Sequence, residues 1–285
     1  MTTPPRISTS LLALLLGGCG LAAPRLGVPA GAGVALATYE VRDNGTDVIE
    51  VQVAFPALDT GEALPGRHPG LVFVQGGLVP ASRYRWQALA LARRGYVVAV
   101  PEHPLDLAFF SIGTGEAARR LLLAPPRGSV LDGRVDPARL AVAGHSLGGV
   151  VAMKLALQGG FQAVALEASF PDGADAPGLP AFAHPSLSLA GALDCSAKLD
   201  AVRAGWGGLP GPTALQVLAG VTHYQFTDAE TEDRQRGCLP GVSLEAAHAA
   251  IADSLAGFLD GALADGGIDQ AALRAVAGAE LEVRP

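Results

Sequence analysis

The sequence predicts an α/β fold, a mostly parallel twisted sheet with helices on both faces and no large lid domain. Three observations carry this. Short apolar runs of strand length recur at 71–74, 96–100, 140–143, 163–166, 186–190 and 214–218, and read as strands buried on both faces. Helix-length segments at 84–94, 150–157 and 244–263 are interleaved with or follow them. The glycine-rich turn Gly144-His145-Ser146-Leu147-Gly148-Gly149 joins one of these strands directly to one of these helices.

Length and composition fit one such domain. The chain has 285 residues, of which 49% are hydrophobic, enough for a sizeable core. Mean hydropathy is +0.33. Twenty basic residues stand against 27 acidic ones, for a net charge of −7. No basic run with interleaved aromatics occurs, which excludes a nucleic-acid surface. The three cysteines, Cys19, Cys195 and Cys238, form no C-x-x-C pair, and no H-E-x-x-H is present, so no metal site is expected.

The N-terminus stands apart from the fold. Arg6 and the apolar run 11–16 make a charged n-region and an h-region too short to span a bilayer. Leu16-Gly17-Gly18-Cys19 resembles a bacterial lipobox, with Cys19 as the acylated first mature residue and the envelope as its location. The alternative is a secretory signal cut near Ala23. Residues 1–23 are therefore a leader, and 24–33, rich in Pro, Gly and Ala, a tether.

The catalytic domain is expected over 34–263. Residues 34–42 and 48–55 alternate as two antiparallel strands around a turn at 43–46. Residues 56–69 form a loop with His68 exposed. Strand 71–74 ends in Gln75-Gly76-Gly77-Leu78. Helix 84–94 closes at Gly95, and strand 96–100 leads to Glu102 and His103, expected to be a hydrogen-bonded loop pair. Gly113-Thr114-Gly115-Glu116-Ala117-Ala118 matches a loose dinucleotide fingerprint. It lacks a good preceding strand and a downstream acidic residue at the required offset, so a helix-capping loop is expected and no cofactor. Strand 163–166 ends at Glu167, and the connection 169–185 is too short and polar for a lid. Helix 244–263 closes the sheet, and 264–285 is left as a small helix or tail.

Gly-x-Ser-x-Gly between strand and helix has the context of a nucleophile elbow. Tight turns of this kind exclude Cβ atoms at the flanking positions, hence the glycines. The following helix directs N–H groups toward a developing anion, and Leu147 N–H is the first candidate donor.

On these residues, with the approach 136–143, the chain resembles the α/β-hydrolase superfamily over about residues 40–262. The branch it looks most like holds single-domain serine esterases related to dienelactone hydrolases, chlorophyllases and bacterial polyester hydrolases. The resemblance implies a Ser146, Asp194, His223 triad in the family's chain order. Glu167 stays open as a competing acid, since some relatives carry it after that strand. The resemblance also places a second oxyanion donor at Gly77, with Gln75 where the family usually has His and Leu78 as the fallback. His145 is expected to pack under the elbow.

In such a fold the acid and histidine loops emerge side by side, so Cys195 and Cys238 could pair as a disulfide; two unlinked thiols are the alternative. The implied activity is hydrolysis of small carboxylic esters of short to medium acyl chain. The same triad would serve a thioesterase, amidase, lactonase or acyltransferase, and a silent ligand-binding envelope lipoprotein is the reading from another class.

Overall fold

The computed structural model describes residues 32–43, 47–103, 111–229 and 231–285. The expected leader, the expected lipidation at Cys19 and the expected tether up to residue 31 lie outside the described residues, as do residues 44–46 of the expected turn.

Among the described residues, nine strands form one sheet in the order β1-β2-β4-β3-β5-β6-β7-β8-β9. The strands are β1 (Gly33–Arg42), β2 (Val48–Ala57), β3 (His68–Val74), β4 (Val97–Pro101), β5 (Val135–His145), β6 (Ala163–Glu167), β7 (Ser186–Gly191), β8 (Thr213–Leu218) and β9 (Ala279–Arg284). The core from β4 to β8 is parallel. β1 and β2 at one edge, and β9 at the other, run antiparallel to their neighbours.

The helices are α1 (Arg85–Ala92), α2 (Ser111–Leu123), α3 (Leu147–Gln158), α4 (Leu199–Gly207), α5 (Thr231–Gln235), α6 (Leu244–Asp265) and α7 (Gln270–Arg274). Alternation along each strand splits the core in two. Leu71 and Phe73 of β3, Ala141 and Ala143 of β5, and Ala163 and Ala165 of β6 face α1 and α6. Val72 and Val74, Leu140 and Val142, and Val164 and Leu166 face α2 and α3. Both faces are buried, which is why these strands lack the polar–apolar alternation of a half-exposed sheet.

Three segments depart from the sequence expectation. The tail at 264–285 is built into the sheet: β9 pairs with β8 along its whole length, from Thr213 opposite Arg284 to Leu218 opposite Ala279. Its Leu281 and Val283 pack on the core, while glutamates occupy the alternate positions. The expected capping loop at Gly113–Gly115 is helical and lies inside α2. A Cβ on Gly115 would strike Leu155 of α3, so that glycine serves close helix packing and not a phosphate. His68 begins β3 and is half-buried, its Nε2 3.2 Å from Leu64 O.

Candidate active site

The site lies at the carboxyl ends of the parallel strands, where open α/β sheets gather function. β5 delivers Ser146 there in a left-handed conformation, φ 55 and ψ −123, and α3 starts at the next residue. The conformation is strained for a non-glycine residue and is held from several sides. Ser146 N–H donates to Glu167 O at 2.9 Å, and Ser169 Oγ donates to Ser146 O at 2.6 Å. A Cβ at Gly144 would collide with Gly148 O, and one at Gly148 with Val74 O, so the backbone crossing admits glycine alone.

β3 and β5 pair through Val74 and Gly144, so the turn after β3 emerges beside the elbow. Val79 N–H closes that turn on Gly76 O at 3.3 Å, with Gly77 and Leu78 at its centre. Gly77 lies directly against Leu147: a Cβ there would stand 2.6 Å from Leu147 Cδ1. Gly77 and Leu147, the two expected oxyanion donors, are thus neighbours. Gly76 N–H donates to Tyr84 Oη at 2.9 Å, and Ala81 N–H reaches the Glu102 carboxylate at 3.2 Å. Glu102 and His103 are therefore loop-fixing residues. His103 Nδ1 lies 3.0 Å from Thr114 Oγ1, and burial pushes its pKa down to about 4.

Asp194 follows β7 and His223 follows β8. His223 Nδ1 lies 2.8 Å from Asp194 Oδ2. The other carboxylate oxygen, Oδ1, accepts the N–H groups of Ser196 and Ala197, each at 2.7 Å. Both side chains are buried. Glu167 is not in this pairing. It is fully buried, accepts from Gln87 Nε2, and desolvation raises its pKa to about 8.

His145, fully buried next to the serine, brings the histidine to the elbow: its ring centroid is 4.6 Å from that of His223 and 5.6 Å from Phe226. Burial first, and the neighbouring His223 second, hold the His145 pKa well below the usual histidine range. No hydrogen bond joins Ser146 Oγ to His223 here; such contacts often tighten only with substrate bound.

Cys195 and Cys238 are joined in a disulfide, with Cα atoms 6.2 Å apart. It ties the residue after Asp194 to the loop after α5. Sequence reasoning missed a second carboxylate in that region. Asp233 of α5 is buried, and its Oδ2 accepts Tyr224 N–H at 2.7 Å, fixing the residue after His223. A five-residue helix of sequence Thr-Glu-Asp-Arg-Gln carries no periodic signal that could have exposed it.

A model of the alpha/beta hydrolase family matches residues 70–238, more than half of the chain, from β3 through the loop after α5. The chain belongs to the alpha/beta hydrolase family. Comparison with curated proteins gives no match. In this alpha/beta hydrolase the elbow lies near the middle of the matched span. The two antiparallel edges, β1–β2 and β9, lie outside it. Among the described residues no group of three or more His, Cys, Asp or Glu side chains is placed to hold a metal ion, and no helix is long and apolar enough to cross a membrane.

Proposed function

We propose that this hydrolase cleaves carboxylic esters of short to medium acyl chain through an acyl-enzyme on Ser146. One observation carries the reading: a buried, hydrogen-bonded His223–Asp194 pair stands against the residue that precedes a strained, half-buried serine. With Nδ1 engaged by Asp194, His223 is left with Nε2 to act as base. Ser146 Oγ attacks the carbonyl carbon as His223 takes its proton. The oxyanion is held by the N–H groups of Gly77 and Leu147. The C–O bond to the alcohol breaks as His223 returns the proton to the leaving oxygen. Water, deprotonated by His223, then attacks the acyl carbon; the bond to Ser146 Oγ breaks as His223 returns the proton to that oxygen, and the acid is released.

The disulfide supports a second part of the reading, that the enzyme works outside the reducing cytoplasm, as the leader pattern implies. Lipidation at Cys19 is part of the same proposal and rests on the sequence pattern.

The test of substrate class is a rate panel of p-nitrophenyl and alkyl esters with graded acyl chains, run beside matched thioesters and anilides. The proposal requires kcat/KM highest on oxygen esters of short to medium chain. A thioester or anilide turned over faster than its matched ester would overturn it.

A further inference from the structure

Leu78 is at odds with its surroundings in two independent ways. It is the third residue of the turn closed by Val79 N–H on Gly76 O, and its φ is 61, a conformation that favours glycine or asparagine. Its side chain is also 75% exposed, so the leucine gains almost no burial in return for the strain. Leu147, on the other side of Gly77, is 52% exposed and reaches over that glycine with its Cδ1. Two exposed leucines thus flank the Gly77 backbone, and the strained one is the more exposed. Folding alone would be served better by glycine at 78.

We propose that Leu78, with Leu147 beside it, forms an apolar wall at the mouth of the site that receives a hydrocarbon chain of the ester and sets chain-length preference. The inference rests on the ester-hydrolase reading above, and names where that substrate's apolar portion is held. Either portion of an ester can carry such a chain. A carbonyl oxygen directed at the Gly77 N–H leaves both the acyl substituent and the alcohol within reach of the turn. Contact with a chain remote from the reacting bond acts through binding, so it appears in KM and grows with length.

The test uses the full chain carrying Leu78→Gly, which suits the positive φ, and Leu78→Asn, which tolerates it and adds polarity. Leu58→Ser is the control: Leu58 is 38% exposed, and follows β2, which runs antiparallel to β4 and so ends at the opposite side of the sheet. One arm measures p-nitrophenyl esters from acetate to octanoate, and the other measures acetate esters of ethanol to octanol.

Both Leu78 variants should lose about tenfold more kcat/KM at the long end of one arm than they lose on acetate or ethyl acetate, with the extra loss mainly in KM, and melt no lower than the parent. Loss along the acyl arm assigns the wall to the acyl chain, and loss along the alcohol arm assigns it to the leaving group; either supports the inference. Length profiles parallel to the parent's, or the same change in Leu58→Ser, would overturn it. Failure of the ester-hydrolase reading itself would look different, as absence of ester turnover in the parent.

Discussion

The hydroxyl of Tyr84 lies 2.9 Å from Nδ1 of His145 and accepts the Gly76 N–H at 2.9 Å. One phenol therefore links the turn that carries Gly77 to the residue that precedes Ser146. The hydroxyl carries one proton, and whether it donates to His145 Nδ1 or accepts from it follows the imidazole tautomer. Burial drives the Tyr84 pKa far above its usual value, so this hydroxyl does not ionise in the working range.

Tyr84→Phe would leave the Gly76 N–H and the His145 Nδ1 buried without their partner. Stability should fall by about 2 kcal/mol, read by urea unfolding. Turnover should fall as well, through kcat more than KM, because the Gly77 side of the proposed oxyanion site loses its anchor. A variant that is less stable yet unchanged in kcat would separate Tyr84 from the catalytic geometry.

Glu167 gives the fold a pH signature. Its folded pKa of about 8 stands above the usual 4.5 because burial penalises the carboxylate. Between these values the folded state holds a proton that the unfolded state has lost. Stability from this group therefore declines as pH rises from about 4.5 and levels off above about 8. The full span is on the order of 5 kcal/mol. His103 acts in the opposite sense: its folded pKa of about 4 makes stability fall as pH drops below about 6.5. Glu167→Gln should remove the alkaline decline, so the difference in unfolding free energy between variant and parent should widen from pH 5 to pH 8. Ester turnover should survive in that variant, because the carboxylate on His223 belongs to Asp194.

The disulfide closes a separation of 43 residues. The chain-entropy account assigns such a loop about 4 kcal/mol. Reduction, or the double change Cys195→Ala/Cys238→Ala, should lower the melting temperature by several degrees. It should also lower kcat, since Cys195 adjoins Asp194, and Cys238 N–H donates to Asp233 O at 2.9 Å on the segment that fixes Tyr224. Melting curves and ester rates with and without reductant test this, and equal values would show the bridge to be without consequence for either.

The parallel core was legible because strands buried on both faces leave uninterrupted apolar runs, as in Leu71-Val72-Phe73-Val74. The elbow was legible because backbone crossing forces glycine at 144 and 148. β9 left a readable trace in the alternation Glu280-Leu281-Glu282-Val283, yet one strand after a closing helix looks the same as an exposed tail until β8 supplies its partner. α4 was hidden by Gly205 and Gly207, which lower helix propensity while a Cβ at 205 would meet Phe170. The glycines of α2 misled for the same reason, since packing against Leu155 and a loop both call for glycine. The contest between Asp194 and Glu167 could not be resolved from spacing. Glu167 ends β6 and Asp194 follows the end of β7, both at the carboxyl edge of the sheet, and the hydrogen bonds of the two side chains separate them.

The account turns on Ser146 as the nucleophile. The most direct measurement is labelling of the purified protein with a fluorophosphonate, followed by peptide mass spectrometry of the adduct. The account predicts one phosphonylated residue, Ser146, with ester turnover lost in step with labelling, and neither labelling nor turnover in a folded Ser146→Ala protein, whose kcat should drop by about 10⁴-fold or more. A label on another residue, or undiminished labelling and turnover in Ser146→Ala, would contradict it.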